Sequence, residues 1–215
     1  MATPSPSPSP EQPVRLVPRP EEPAAGPADP AMVALPSFIV GSVALGMVLI
    51  GVVPATAVGA SMPILIAAAA GMFLATIWAA RIGQSAAAGI DAVFGSFFLS
   101  YALLVLGLTH NWYGIPLTSI ADTQKVFVIS WLVIVTMLVL ASVRLPIIYG
   151  LLFLLIDASL LLNLLSIIQT STNLSKAAGW VLMAVAATIV YLFLGSASHV
   201  TGGRELPLGP PIMHA

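Results

Sequence analysis

Residues 147–165 read IIYGLLFLLIDASLLLNLL. Apolar side chains fill this stretch without the residue-by-residue alternation of a membrane barrel strand. Carried on to residue 168, it reaches the roughly 20 residues that take a helix across a hydrocarbon core of about 30 Å. In that solvent a helix satisfies its backbone N–H and C=O groups within one segment. The same reading, moved outward along the chain, finds five further runs at about 32–53, 61–80, 89–109, 124–141 and 177–195. The breaks carry Pro, Gly or polar residues: Val53-Pro54, Arg81 to Gln84, His110 to Asp122, Arg144 to Pro146 and Thr170 to Lys176. The expected fold is an all-α membrane protein with six transmembrane helices.

Composition agrees. Of 215 residues, 59% are hydrophobic and 7% charged, where a soluble globular protein carries about a quarter charged. With a mean hydropathy of +1.04, a water-soluble fold would expose far more contiguous apolar surface than monomers tolerate. An ordinary soluble enzyme is therefore excluded. A net charge of -1 without a basic cluster also removes nucleic acid as a partner. There is no Cys, and His110, His199 and His214 lack ligand spacing, so neither a metal nor a cofactor is expected. Neither G-x-x-x-x-G-K-[ST] nor G-x-S-x-G occurs, which leaves ATP hydrolysis and hydrolytic catalysis without their parts. Transport without nucleotide is the simpler account, and the protein is expected not to be an enzyme.

The chain divides into three parts. Residues 1–28 hold half of the 18 prolines and few large apolar side chains, the composition of a disordered Pro/Ser-rich tail without the apolar core of a secretory signal. The transmembrane domain occupies 29–209, and a short tail follows at 210–215. Placing the N-terminus inside puts Arg15, Arg19, Arg81, Arg144 and Arg204 on the inner side and Lys125 and Lys176 outside. That bias predicts both termini in the cytoplasm. Trp112, Tyr113, Trp131 and Trp180 then form an outer aromatic belt.

Within the runs, small residues (Gly41, Gly46 and Gly51; Ala67 to Gly71, Ala75, Ala79 and Ala80) permit close helix approach or leave room for a pore. Charges inside a membrane are costly and by default functional, which singles out Asp157 and Asp91. Asp157 either carries a coupled proton or bonds a neighbouring helix. Asp91, near the start of its run, either relays a proton or is a solvated helix-start carboxylate. Every Lys and Arg lies at a helix end or in a tail, so solute binding falls to hydroxyls, amides and backbone groups. Ser37, Gln84, Ser85, Ser96, Ser100 and Asn163 are the available side chains.

Three stretches share a pattern. Asp29-Pro30-Ala31-Met32-Val33-Ala34-Leu35 is similar to an N-P-A-P-L-G-L signature, with Asp for Asn, Met for the second Pro and Ala for Gly. Gly83-Gln84-Ser85, followed by Phe94-Gly95-Ser96-Phe97-Phe98, is similar to G-N-T and S-Y-G-x-F-W at matching spacing. Ala178-Gly179-Trp180 and then Gly203-Arg204-Glu205-Leu206-Pro207-Leu208-Gly209 are similar to A-G-W and a terminal G-R-x-x-L-P-x-G. Over 29–209 the chain thus resembles the acetate uptake transporter family, the succinate-acetate permeases of YaaH type. The resemblance implies a carboxylate transporter for acetate and succinate, proton-coupled or channel-like, in the plasma (inner) membrane. It further implies a homo-hexamer with a pore through each subunit. By position the hydrophobic constriction falls on Phe38, Phe94, where the family has Tyr, and Leu155.

Two rivals remain: a urea or short-amide channel, and a non-transporting membrane scaffold that recruits a partner through its Pro-rich tail. Deleting residues 1–28 separates the scaffold from both channels. Solute flux into vesicles is expected to survive the deletion, whereas loss of function with flux never detected would favour the scaffold.

Overall fold

A computed structural model describes residues 29–204, 206–211 and 213. The helices are α1 (Ala31–Ile50), α2 (Met62–Arg81), α3 (Ser85–Thr109), α4 (Ile120–Ala141), α5 (Ile147–Gln169) and α6 (Thr172–Val200). All six are long and apolar enough to cross a membrane, with short 3₁₀ turns extending α2 and α4. The described residues contain no strand, only one bridge between Pro146 and Pro211. The disordered tail expected at 1–28 lies outside the described residues.

Helix ends reflect local chemistry. α1 stops at Gly51, whose φ of 89° is cheap only without a Cβ. Its N–H bonds the Val48 carbonyl while that of Val52 bonds Met47, which satisfies two orphan carbonyls. α3 and α6 begin several residues before their apolar runs, at Ser85 and Thr172. Hydropathy misses such turns because they are small or polar. A helix once nucleated nonetheless gains a backbone bond with each added residue, and Ser171 caps α6 through the Leu174 N–H.

The helices close into a ring in the order α3, α2, α1, α6, α5, α4. In lipid no hydrophobic force drives helices together, so packing and interhelical hydrogen bonds must do it. α1 and α6 come closest: a Cβ on Gly179 would lie 2.8 Å from the Gly46 carbonyl oxygen and 2.7 Å from Ile50 Cγ1. Hydroxyls reinforce the neighbours. Ser175 Oγ donates to Leu49 O at 3.1 Å, joining α6 to α1, and Ser159 Oγ to Ala178 O at 2.9 Å, joining α5 to α6. α3 and α4 meet through rings instead, with Phe97 and Trp131 edge to face at 5.4 Å. Outward positions such as Leu74, Val126 and Leu140 are about two-thirds exposed, as lipid-facing side chains are.

Both described ends of the chain lie at the same end of the bundle, where Asp29, His199 and Leu206 share a pocket. The described residues of the segment set apart in the sequence as a tail are tied down there. Ile147 N–H bonds Pro210 O at 3.2 Å, and Met213 N–H bonds Val143 O at 3.0 Å.

The glycine contact sets a stability expectation. Gly179→Val should lower stability by about 1–3 kcal/mol, the range for overpacking a tight site, as read by thermal unfolding in detergent. Gly89→Val, at a helical glycine with open space around it, should leave stability unchanged or raise it by about a few tenths of a kcal/mol, since Val is the better helix former.

Candidate functional site

Each helix of the ring except α2 sends side chains to a central axis. On α1 they recur at one-turn spacing as Phe38, Ser42, Leu45 and Leu49, and α6 contributes Leu182 from a buried stripe that continues through Val185, Ile189 and Leu192. Near the middle, three buried phenylalanines form a layer. Phe38 and Phe94 lie 4.6 Å apart between ring centroids, and Phe94 stacks on Phe153 at 6.2 Å. Phe98 meets Phe38 edge to face at 5.7 Å. It fits only because Gly41 lacks a side chain, since a Cβ there would come 2.5 Å from Phe98 Cζ.

Two small enclosed cavities follow this layer along the axis. The first, about 20 Å³, is lined by Phe38, Phe94, Trp131, Ile156 and the hydroxyl-bearing Ser42. The second, about 30 Å³, is lined by Leu49, Tyr101, Phe127, Ser159 and Asn163. Leu45, Phe97, Ile156, Leu160 and Leu182 border both. Each has room for about one or two waters and none for a carboxylic acid. Toward the chain ends, a wider pocket of about 220 Å³ is of mixed character, bordered by Asp29, Tyr149, Ser196 and His199 together with Leu192, Leu206 and Leu208. Its Leu192 lies on the buried stripe about 15 Å beyond Leu182 at the helical rise. Among the described residues, no Lys or Arg lines any of these three spaces. An aromatic layer and two nearly apolar chambers therefore adjoin inside one helical ring, and the wider pocket lies at the end of the bundle that holds the described chain ends.

Residues 15–201 match the model of the GPR1/FUN34/yaaH family. The chain belongs to that family. No curated protein matches it in sequence. The fold is similar to that of a solved bacterial acetate channel, SatP, with a TM-score of 0.73 and 19% identity, over 85% of this chain and 99% of that one. The family resemblance and the multi-pass membrane architecture read from the sequence therefore hold.

Against this GPR1/FUN34/yaaH framework, the residues singled out in the sequence separate into groups. Phe38 and Phe94 are brought together in the aromatic layer. Leu155 is half-buried and borders neither chamber; the adjacent Ile156 occupies the α5 position facing both. Of the six polar side chains, Asn163 alone borders a chamber. Ser37 Oγ donates to Val33 O at 2.8 Å and lies against Gly71, on the α1–α2 contact. Ser100 Oγ donates to Phe97 O, and Gln84, Ser85 and Ser96 are exposed. Asp157 accepts a hydrogen bond from Thr136 Oγ1 at 2.8 Å, linking α5 to α4 away from the chambers. Asp91 is half-buried and borders none of the three spaces. Trp131, placed in the outer belt by sequence, turns inward to the first chamber, whereas Trp112, Tyr113 and Trp180 are exposed as expected.

Two residues on the axis escaped the sequence reading. Phe153 completes the aromatic layer, and Ser42, fully buried, puts the polar group into the first chamber. Helical phase held the signal for Ser42, which lies one turn from Phe38, whereas Leu155 and Asp157, singled out on the same half of α5, border neither chamber and gave no pointer to Phe153.

The Thr136–Asp157 pair has a measurable strength. A double-mutant cycle with Thr136→Val and Asp157→Asn should give a coupling of about 0.5–1.5 kcal/mol, the range for interhelical hydrogen bonds in membranes. Coupling near zero would mean that the bond contributes nothing to holding α4 on α5.

Proposed function

We propose that this chain carries short carboxylates, acetate and on the same chemistry succinate, along the central axis of each six-helix subunit. The subunits form a homo-hexamer in the plasma membrane with both termini cytoplasmic, as the family resemblance and the Arg bias imply. The observation that carries the reading is the Phe38–Phe94–Phe153 layer beside two small chambers lined almost wholly by apolar side chains. The family match and the likeness in fold to an acetate channel support it.

Such a layer blocks ions by demanding their dehydration. A bare carboxylate would enter surroundings without any Lys or Arg, at a cost of several kcal/mol that a few hydroxyls do not return. The protonated acid carries no charge and passes at far lower cost. A proton therefore travels with each carboxylate and flux is electroneutral. In this reading the proton rides on the acid, so Asp157 and Asp91 are not required to relay it. Phe94, where the family has Tyr, brings no hydroxyl to the layer, which makes the crossing more apolar still. As drawn, the chambers are too small for acetate, so the conformation is closed and passage requires the rings to part.

The same lack of cations suits a neutral amide, which keeps a urea channel as the second reading. Uptake of labelled acetate into proteoliposomes separates the two. An inward proton gradient is expected to stimulate uptake severalfold, unlabelled acetate to compete, and Phe94→Ala to change the rate. Indifference to the gradient, with competition by urea, would transfer the assignment to the amide channel.

A further inference from the structure

Ser42 is the buried side chain whose polar atom has no hydrogen-bond partner among the described residues. Its relative exposure is 0% and it borders the first chamber. Serines and threonines inside membrane helices ordinarily bond the carbonyl one turn back. Ser37, Ser130 and Thr188 do so here, with Val33, Val126 and Ala184. Ser42 does not take the carbonyl of Phe38, and an unpaired buried hydroxyl is expensive. Its other surroundings in the chamber are apolar, above all Phe38, Phe94, Phe97 and Trp131.

Resting on the carboxylate reading above, we propose that the Ser42 hydroxyl is the substrate-binding group of this chamber and that its ligand is the uncharged carboxyl group of a short monocarboxylic acid. A hydroxyl offers one donor and two lone pairs. A protonated carboxyl complements it from both sides: Ser42 O–H donates to the acid's carbonyl oxygen, and the acid's O–H donates back to Ser42 Oγ. An ionised carboxylate takes up only the first of these bonds and leaves a full charge among aromatic rings. The chamber thus selects the protonation state as well as the solute. It has to widen to admit an acid, and the α3–α4 side is where it can. There the helices meet through Phe97, Tyr101, Phe127 and Trp131 rather than through close backbones, and Trp131 is only half-buried.

Labelled-acetate uptake into proteoliposomes at several external pH values tests this with the native chain, Ser42→Ala and Ser42→Thr. Ser42→Ala, which removes only the oxygen, is expected to raise the half-saturation concentration about fivefold or more, from the loss of the hydrogen bonds it makes with the acid. Its elution as an assembled protein in detergent should be unchanged. Ser42→Thr keeps the hydroxyl and should restore native half-saturation. At each pH the shift should be the same when expressed in concentration of protonated acid. If native protein transports acetate and Ser42→Ala leaves half-saturation untouched, the hydroxyl holds at most a resident water and the inference falls while the carboxylate reading stands. Native protein that transports no acetate overturns both.

Discussion

The close approach of α1 and α6 at Gly46 and Gly179 holds the first and last helices of the chain together. The rest of the ring is built outward from it. A hydrocarbon solvent offers apolar helices no net reason to associate, so contact at backbone distance and the hydroxyl bonds around it supply the cohesion. α2 and α3 extend from one side of this contact, α5 and α4 from the other. The two outer helices then face each other across a gap that backbones do not close and aromatic rings do. A rigid seam and a soft seam thus lie on opposite sides of one axis.

This asymmetry gives the interior its character. On the rigid side, α1 and α6 present Phe38, Ser42 and Leu182 from fixed backbones. On the soft side, Phe97 and Trp131 join the helices through their rings, so a rotamer change there parts the rings without disturbing a backbone-to-backbone contact. The drawn state is closed because the rings of the layer approach to 4.6 Å and the chambers beyond hold little more than a water each. With no cation along the axis, electrostatics gives no help to an anion. The chemistry of the path therefore favours what can shed its charge before entering.

Architecture was legible because hydropathy and length alone identify a membrane helix: six apolar runs became six helices, with errors confined to polar or small end turns such as those of Ser85 and Thr172. The pair Phe38 and Phe94 was reached through family pattern rather than through composition. Helical phase was the part that sequence withheld. A helix that is apolar all round carries no amphipathic stripe to say which residue faces inward. Leu155 and Ile156 look alike in sequence, and one residue of rotation decides which borders the chambers. Asp157 stood out by charge, yet its phase turns it to Thr136 on α4. Ser42 passed unnoticed for the opposite reason, since a serine in such a helix normally satisfies itself. Only its side-chain direction shows that it does not.

The central claim is that a carboxylate crosses the phenylalanine layer together with a proton and without net charge. Current recording on protein-loaded membranes, after an acetate concentration jump at constant pH and alongside labelled-acetate accumulation, tests it most directly. The account predicts accumulation with no sustained acetate-dependent current and with acidification of the receiving side. A steady current that reverses at the acetate equilibrium potential would contradict it and show that the bare anion crosses.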